Sequence, residues 1–343
     1  RLEHTTENSV EQSKNTTKMM TSVSVRLLLV GALDTKLCEY SFLADRLRAL
    51  SPASRLVCLD LSVPHLSEED LQRRRRAFST VSDRIEFISS SQLAADTGLD
   101  LQELRSRNDR GHALKCMSEA ASVYVARLHA DAAFDGVIGC GGSGGTSMVC
   151  AVMRALPHRV AKVCLSTVAS GDCSQYIGGS NLVMIPSLVD LTGTRLNTIS
   201  HQQLCMAAGA LVGMIQCCAS TPPPSHRRPV VLASMFGNTT KCITQCQEML
   251  DTRGFETLVF HAVGSGGRTL ERMATDSGEV VGVLDLTTTE LADEVVGGVF
   301  SAGPERLFAA GRRGVAHVIA PGCIDMVNFH SMASVPSRLK QQE

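Results

Sequence analysis

The sequence predicts an α/β fold built on parallel sheets with helices on both faces. Three observations carry this. Short apolar runs of strand length alternate with longer segments of helical periodicity from residue 23 onwards, the pattern of parallel sheets covered on both sides. Two of the strand-to-helix connections are rich in glycine, at residues 139–145 and 264–267, as in strand–loop–helix units that hold phosphate. Residues 220–229 carry four prolines in ten residues. Such a segment cannot continue a helix and favours an extended spacer, so it divides two halves that repeat one plan.

Taken in order, residues 1–22 are polar with few apolar side chains, which predicts a disordered tail without a secretory h-region. Residues 23–33 form a first strand. Asp34, Thr35 and Lys36 then open a helix to about residue 50, with Asp34 or Thr35 as its cap. These three residues stand at the carboxyl end of a strand, the edge where open parallel sheets bind ligands. A second strand covers 56–61. Ser67 starts a helix with Glu68, Glu69 and Asp70 in its first turn, where the dipole favours acids. The run Arg73 to Arg76 fits a solvated helix face better than a nucleic-acid patch. A short strand at 87–91 and a helix at 112–130 follow, and Arg110 near that helix start is a candidate phosphate cation.

The stretch from Gly136 to Gly145 holds six glycines in ten residues, between a buried strand and a helical pattern at 148–156. Glycines let backbone N–H groups turn towards one point, and a helix start faces the same point. Ser143, Thr146 and Ser147 add hydroxyls. The same loop also suits a turn that only lets strand and helix pack closely. No Gly-Lys-Ser/Thr ends it, so it is not a Walker A loop. The acid expected about 20 residues on in a dinucleotide fold is absent, which disfavours a nicotinamide enzyme.

Strands at 161–166 and 181–185 and a helix at 197–219 with small residues on one face complete the first subdomain, residues 23–219. The second, residues 230–343, begins with a strand at 230–235 and a helix at 241–253. A strand at 256–262 leads through the second glycine loop to a helix from Thr269. A strand at 280–286, a capped helix start at 287–290 and a strand at 317–320 follow.

Composition bounds the function. The chain has 343 residues, 44% hydrophobic, with net charge −1, which fits two ordinary domains and argues against bulk nucleic-acid binding. No apolar run reaches the roughly 18 residues of a bilayer span, and the nearest, Met206 to Ile215, is too short and contains two glycines, so no membrane partner is expected. There is no Trp and aromatics are 4%, so a base-stacking platform is not expected. The thirteen cysteines include no CxxC and no matching His cluster, which predicts buried free thiols, no metal site and a cytoplasmic setting.

Several motifs then occur in one order: residues 139–146, Ser166-Thr-Val-Ala-Ser-Gly171, Tyr176-Ile-Gly178 and Pro186-Ser-x-Val-Asp190. After them come residues 256–262, Gly266-Gly-Arg268, Leu284-Asp-Leu-Thr-Thr-Thr-Glu290, Val296-Gly-Gly-Val299 and residues 324–329. Together they resemble the ATP-binding inhibitory-domain family of the tomato mosaic virus resistance protein, over residues 25 to 335. The resemblance implies two Rossmann-like subdomains in a three-layer αβα arrangement, with ATP and Mg2+ bound in the first, a homodimer and a protein partner. It implies that Asp34, Thr35 and Lys36 hold the nucleotide, that Arg110 reaches it, and that Gly142, Ser143, Gly144 and Gly145 form the phosphate loop. Val63 stands where the family has a nucleotide-contacting threonine. The family module continues past the position of Glu343, so the second subdomain is expected to be truncated.

Two functions follow as expectations. One is an ATP-binding protein that acts as a regulatory or partner-binding module. The other is an enzyme using ATP or a phosphate compound in the cleft between subdomains, with His261, Arg268, Asp285, Glu290 and Asp325 as candidates near strand ends. Those five residues suit helix caps and turn closures better than a catalytic set.

Overall fold

The structure, a computed structural model, describes residues 25–65, 67–79, 85–131, 134–221 and 227–340. The predicted tail and the centre of the proline-rich segment lie outside the described residues. The chain divides into two compact units, residues 1–222 and 223–343.

Unit 1 carries a six-stranded, wholly parallel sheet. Its strands are β1 (Arg26–Gly31), β2 (Arg55–Asp60), β3 (Ile85–Ile88), β4 (Gly136–Gly141), β5 (Ala161–Ser166) and β6 (Val183–Pro186), in the order β3-β2-β1-β4-β5-β6. This is the doubly wound Rossmann-like order, with its reversal between β1 and β4. Both faces of the sheet are apolar, as parallel strands covered on two sides require. Leu28 and Val30 pack on one face with Met117, Val149 and Val152, while Leu27 and Leu29 pack on the other with Leu43, Leu47 and Leu211.

The helices follow from this division. Helix α1 (Leu33–Leu50) leaves β1 towards the second of these cores. Helices α2 (Glu68–Ser79), α3 (Ser90–Thr97), α4 (Leu101–Arg107) and α5 (Arg110–Ala130) come before β4. Helix α6 (Ser143–Arg154) leaves β4 towards the first core. The short α7 (Ser174–Ile177) and the long α8 (Thr198–Ser220) complete the unit. Because α1 and α6 depart to opposite faces, a crevice opens between the carboxyl ends of β1 and β4.

Helix α8 is long and apolar enough to cross a membrane by length and composition alone. The stretch free of polar side chains within it runs only from Leu204 to Ile215, between Gln203 and Gln216. Here it serves as a core helix, with Leu204, Ala208, Leu211 and Ile215 buried. Asn197 caps it and Ser200 returns the bond to the Asn197 N–H, a reciprocal cap.

Unit 2 has a four-stranded parallel sheet, β7 (Val230–Met235), β8 (Glu256–His261), β9 (Val280–Asp285) and β10 (Ala316–Ile319), in the order β10-β9-β7-β8. Helices α9 (Thr240–Asp251), α10 (Ser265–Asp276), α11 (Thr289–Val296), α12 (Ala309–Arg313) and α13 (Ser337–Lys340) accompany it.

Four expectations are corrected. Helices α5, α6 and α10 begin at residues 110, 143 and 265, several residues earlier than periodicity suggests. A first helical turn needs no internal N–H partners, so glycines and polar residues are accommodated there. Neither Asp34 nor Thr35 caps α1: its N-cap is Ala32, with no side-chain bond, and Lys36 is non-helical at φ −136°, ψ 25°. The arginine run is not uniformly solvated, because Arg74 is buried against Asp60. All thirteen cysteines are free, but only Cys58, Cys140, Cys150 and Cys164 are buried.

Candidate functional site

The crevice holds a cavity of about 760 Å3, within the range of about 300–1,000 Å3 typical of small-molecule sites. Asp34, Thr35, Lys36, Arg110, Gly142, Ser143, Gly144 and Gly145 all line it. They come from three chain segments far apart in sequence, and the fold brings every one of them to one hollow at the topological switch point.

The glycine loop supplies the polar floor. Gly142 is the N-cap of α6 and makes no side-chain capping bond. Thr146 N–H is bonded to Gly142 O at 2.8 Å, while among the described residues no acceptor takes the N–H of Ser143, Gly144 or Gly145. The turn is tight because residue 141 has no side chain: a Cβ there would lie 2.9 Å from the Gly145 backbone. The loop is held from beneath by Thr146, whose hydroxyl lies 2.6 Å from that of Ser166 and donates to Gly141 O at 3.2 Å.

Two cations face this loop. A Cβ on Gly144 would lie 3.6 Å from an Arg110 guanidinium nitrogen. Among the described residues Arg110 has no carboxylate partner, and Lys36 Nζ donates only to Thr35 O at 3.3 Å. Free N–H groups at a helix start with two uncommitted cations make an anion-attracting site.

The rest of the lining is mixed: Leu61, Val63, Leu104, Ala113, Leu114 and Met148 give apolar surface, with His65, Asn108 and Asp109 among them. Arg105 braces it, donating from Nε to Val63 O at 2.7 Å. Val63 therefore offers the cavity a hydrocarbon surface and a committed carbonyl, with no hydroxyl.

Several residues that shape the site carry no obvious sequence signal. The β1–β4 ladder ends at Leu29 and Ile138. Beyond it the buried Tyr40 hydroxyl donates to Val30 O at 2.6 Å and accepts from Cys140 N–H at 2.8 Å, bridging the strands where they part. Burial first, and the Glu39 charge second, push the Cys140 thiol up to about 12, against smaller opposing effects of the Tyr40 bond and the Lys36 charge. That thiol stays protonated.

Behind the β1 loop, Asp60 accepts from the N–H of Leu33 at 3.2 Å and of Ser62 at 2.9 Å, and pairs with buried Arg74. Ser62 Oγ in turn accepts the Asp34 N–H at 2.9 Å. The strand end Asp60-Leu61-Ser62 was visible in the sequence, but its partner Arg74 was hidden within the arginine run.

The second glycine loop differs in kind. Glu290 Oε1 accepts the N–H of Gly264 at 2.7 Å and of Gly267 at 3.0 Å, and its Oε2 accepts from Arg306 Nε at 2.8 Å. Buried Arg306 also pairs with Asp285 and Glu271, and His317 Nε2 lies 2.8 Å from Asp285 Oδ2. Asp285 and Glu290 are thus brought together around one guanidinium. Arg268 donates to Ser301 O at 2.9 Å, His261 is exposed and stacks on Phe236, and Asp325 is exposed.

With this geometry in view, comparison with known proteins places the chain. Residues 25–220 match the N-terminal domain, and residues 228–343 the C-terminal domain, of the uncharacterised protein family UPF0261. The chain belongs to the UPF0261 family. A UPF0261 protein of Clostridium tetani is 39% identical over 92% of this chain and 73% of its own length. The ToMV resistance protein Tm-1(GCR237) of Solanum lycopersicum is 35% identical over 94% of this chain. This UPF0261 chain spans only 42% of the length of that tomato relative. Among solved structures, a UDP-N-acetylglucosamine 2-epimerase aligns at TM-score 0.28 and 10% identity over 81% of this chain and 84% of that one. The resemblance to the tomato resistance protein, carried by ordered motifs, therefore reflects membership of one family.

Proposed function

We propose that unit 1 binds ATP at the β1–β4 crevice and that the protein acts as a nucleotide-dependent regulatory or partner-binding module. One observation carries the reading: a glycine loop with open N–H groups, Lys36 and Arg110 all line a single cavity that also offers apolar surface. A polyphosphate suits the first part and a nucleoside the second. Shared family membership with the tomato virus resistance protein accords with the nucleotide and the protein partner that the motif resemblance implies. Mg2+ fits the donor set. Asp34 lines the cavity as a carboxylate, and the other lining acid, Asp109, caps α5 through the His112 N–H at 3.0 Å. A single protein carboxylate accords with a Mg2+ ion held mainly by phosphate and water. The residues themselves bind and orient; no step of turnover is assigned to them.

A homodimer is supported by α8, whose outer face leaves Ile199 and Met206 exposed. The thirteen free thiols suit a cytoplasmic setting.

Calorimetric titration of the full chain with ATP and Mg2+ tests the ligand. Binding at millimolar or tighter affinity is expected, weakened at least tenfold, or about 1.4 kcal/mol, by Lys36→Ala or Ser143→Trp. Unchanged affinity in both variants would falsify the assignment.

A further inference from the structure

Lys36 reaches the cavity from a break in α1, and a loop from elsewhere in the chain lies against that break. Gly193, in the loop between β6 and α8, adopts φ +75°, and a Cβ placed on it would lie 1.8 Å from Thr35 O and 3.3 Å from Lys36 N. Its N–H donates to Glu39 Oε1 at 2.8 Å. Glu39 is buried, and its other oxygen has no partner among the described residues. The loop therefore lies directly on the Thr35–Lys36 peptide and is tied to the helix one turn further on. Backbone at this spacing admits no residue but glycine, both for its left-handed φ and for the missing Cβ.

Resting on the nucleotide reading above, we infer that Gly193 is a positioning residue for Lys36: it seats the 187–197 loop against the Thr35 carbonyl and so sets the direction from which the lysine meets the bound phosphates. Neither Gly193 nor Glu39 lines the cavity, so each acts through the Thr35–Lys36 peptide. A side chain at position 193 would displace that carbonyl and swing the lysine with it. An ångström-scale shift of a charged group costs binding energy without removing any contact residue.

A double-mutant cycle on the full chain, titrated with ATP and Mg2+ by calorimetry, separates this role from general support of the fold. Gly193→Ala is expected to weaken binding about tenfold, comparably to Lys36→Ala. The double variant is expected to bind no more weakly than Lys36→Ala alone, because the effect of position 193 passes through the lysine. Gly254→Ala is the control for backbone strain. It has φ +83° in unit 2 with nothing within 4 Å of its Cβ, and should leave ATP affinity unchanged. Additive losses in the double variant, or wild-type affinity in Gly193→Ala, overturn the inference while leaving ATP binding intact. Wild-type affinity in Lys36→Ala overturns it too, and counts against the nucleotide reading itself. Should Gly193→Ala fail to fold, Glu39→Met removes the acceptor of the Gly193 N–H at similar volume. The same cycle with Lys36→Ala then decides, with coupling supporting the role and additivity refuting it.

Discussion

The carboxylate of Glu290 sits in the second glycine loop, accepting the Gly267 N–H at 3.0 Å, and a Cβ on Gly267 would lie 2.2 Å from its Oε2. In unit 2 a side chain thus takes the place that an anion takes in a phosphate loop. The two glycine loops look alike in sequence, yet one is filled from within and the other opens to a cavity. Glu290→Ala leaves two buried N–H groups without their acceptor and removes one of the three carboxylates around Arg306, which keeps Asp285 and Glu271. A loss of about 1–3 kcal/mol is expected, read as a lowered melting temperature of the full chain. Acetate should restore part of that loss in a concentration-dependent way. Equal recovery with chloride at matched ionic strength would show that the loop has no preference for a carboxylate.

Tyr40 makes a second test. Its hydroxyl replaces the ladder between β1 and β4, and both strand groups it serves are buried. Tyr40→Phe keeps the ring but orphans Cys140 N–H and Val30 O, a cost of about 1–3 kcal/mol. The urea midpoint should fall by that amount, with far-UV circular dichroism unchanged below the transition. An unaltered midpoint would mean the strands re-pair without the hydroxyl.

The parts of the fold and site legible in the sequence are those that depend on neighbours along the chain. Asp34 to Lys36 and Gly142 to Gly145 each follow an apolar strand, and Arg110 opens its helix, so two strand ends and one helix start mark them. What escaped depends on residues that meet only in three dimensions. Arg74 lies among three exposed arginines and differs from them only because Asp60, fourteen positions earlier, is buried beside it. Glu290 reads as a first-turn acid of its own helix, and its work is done at a loop 23 to 26 residues before it. Gly193 carries no local signal, since its need for a missing Cβ comes from Thr35. Helix starts were placed late wherever glycine opens the helix, because propensity penalises glycine while a first turn with outside partners does not.

The Asp60–Arg74 pair yields a prediction that separates the four arginines. Burial pushes the Asp60 carboxyl above its ordinary range, and the Arg74 charge works in the opposite direction. Arg74→Ala strands that acid inside the unit and should cost about 3–5 kcal/mol. The β1 loop carried by Asp60 and Ser62 should loosen with it, seen as faster hydrogen exchange at the Leu33 and Asp34 amides. Arg73→Ala, at an exposed position, should change stability by no more than about 0.5 kcal/mol. Similar losses in both variants would return Arg74 to the solvated face.

His129, in the last turn of α5, is expected to contribute to the pH dependence of unit 1. Its Nδ1 is buried without a partner among the described residues, and its ring lies 5.5 Å from that of Phe134. Burial lowers its pKa below the ordinary histidine value, the Arg159 and Lys162 charges act in the same direction, and Asp135 opposes them. In the unfolded chain the group titrates near 6.5. Between the depressed folded value and 6.5 the unfolded state binds more protons, so stability is complete above pH 6.5 and declines as pH falls through that window. Urea midpoints measured from pH 7.5 to about pH 5 should therefore decrease in the wild type, with a flatter profile in His129→Phe, which keeps the ring packing and removes the titration. A variant profile as steep as the wild type's would assign the acid sensitivity to other groups.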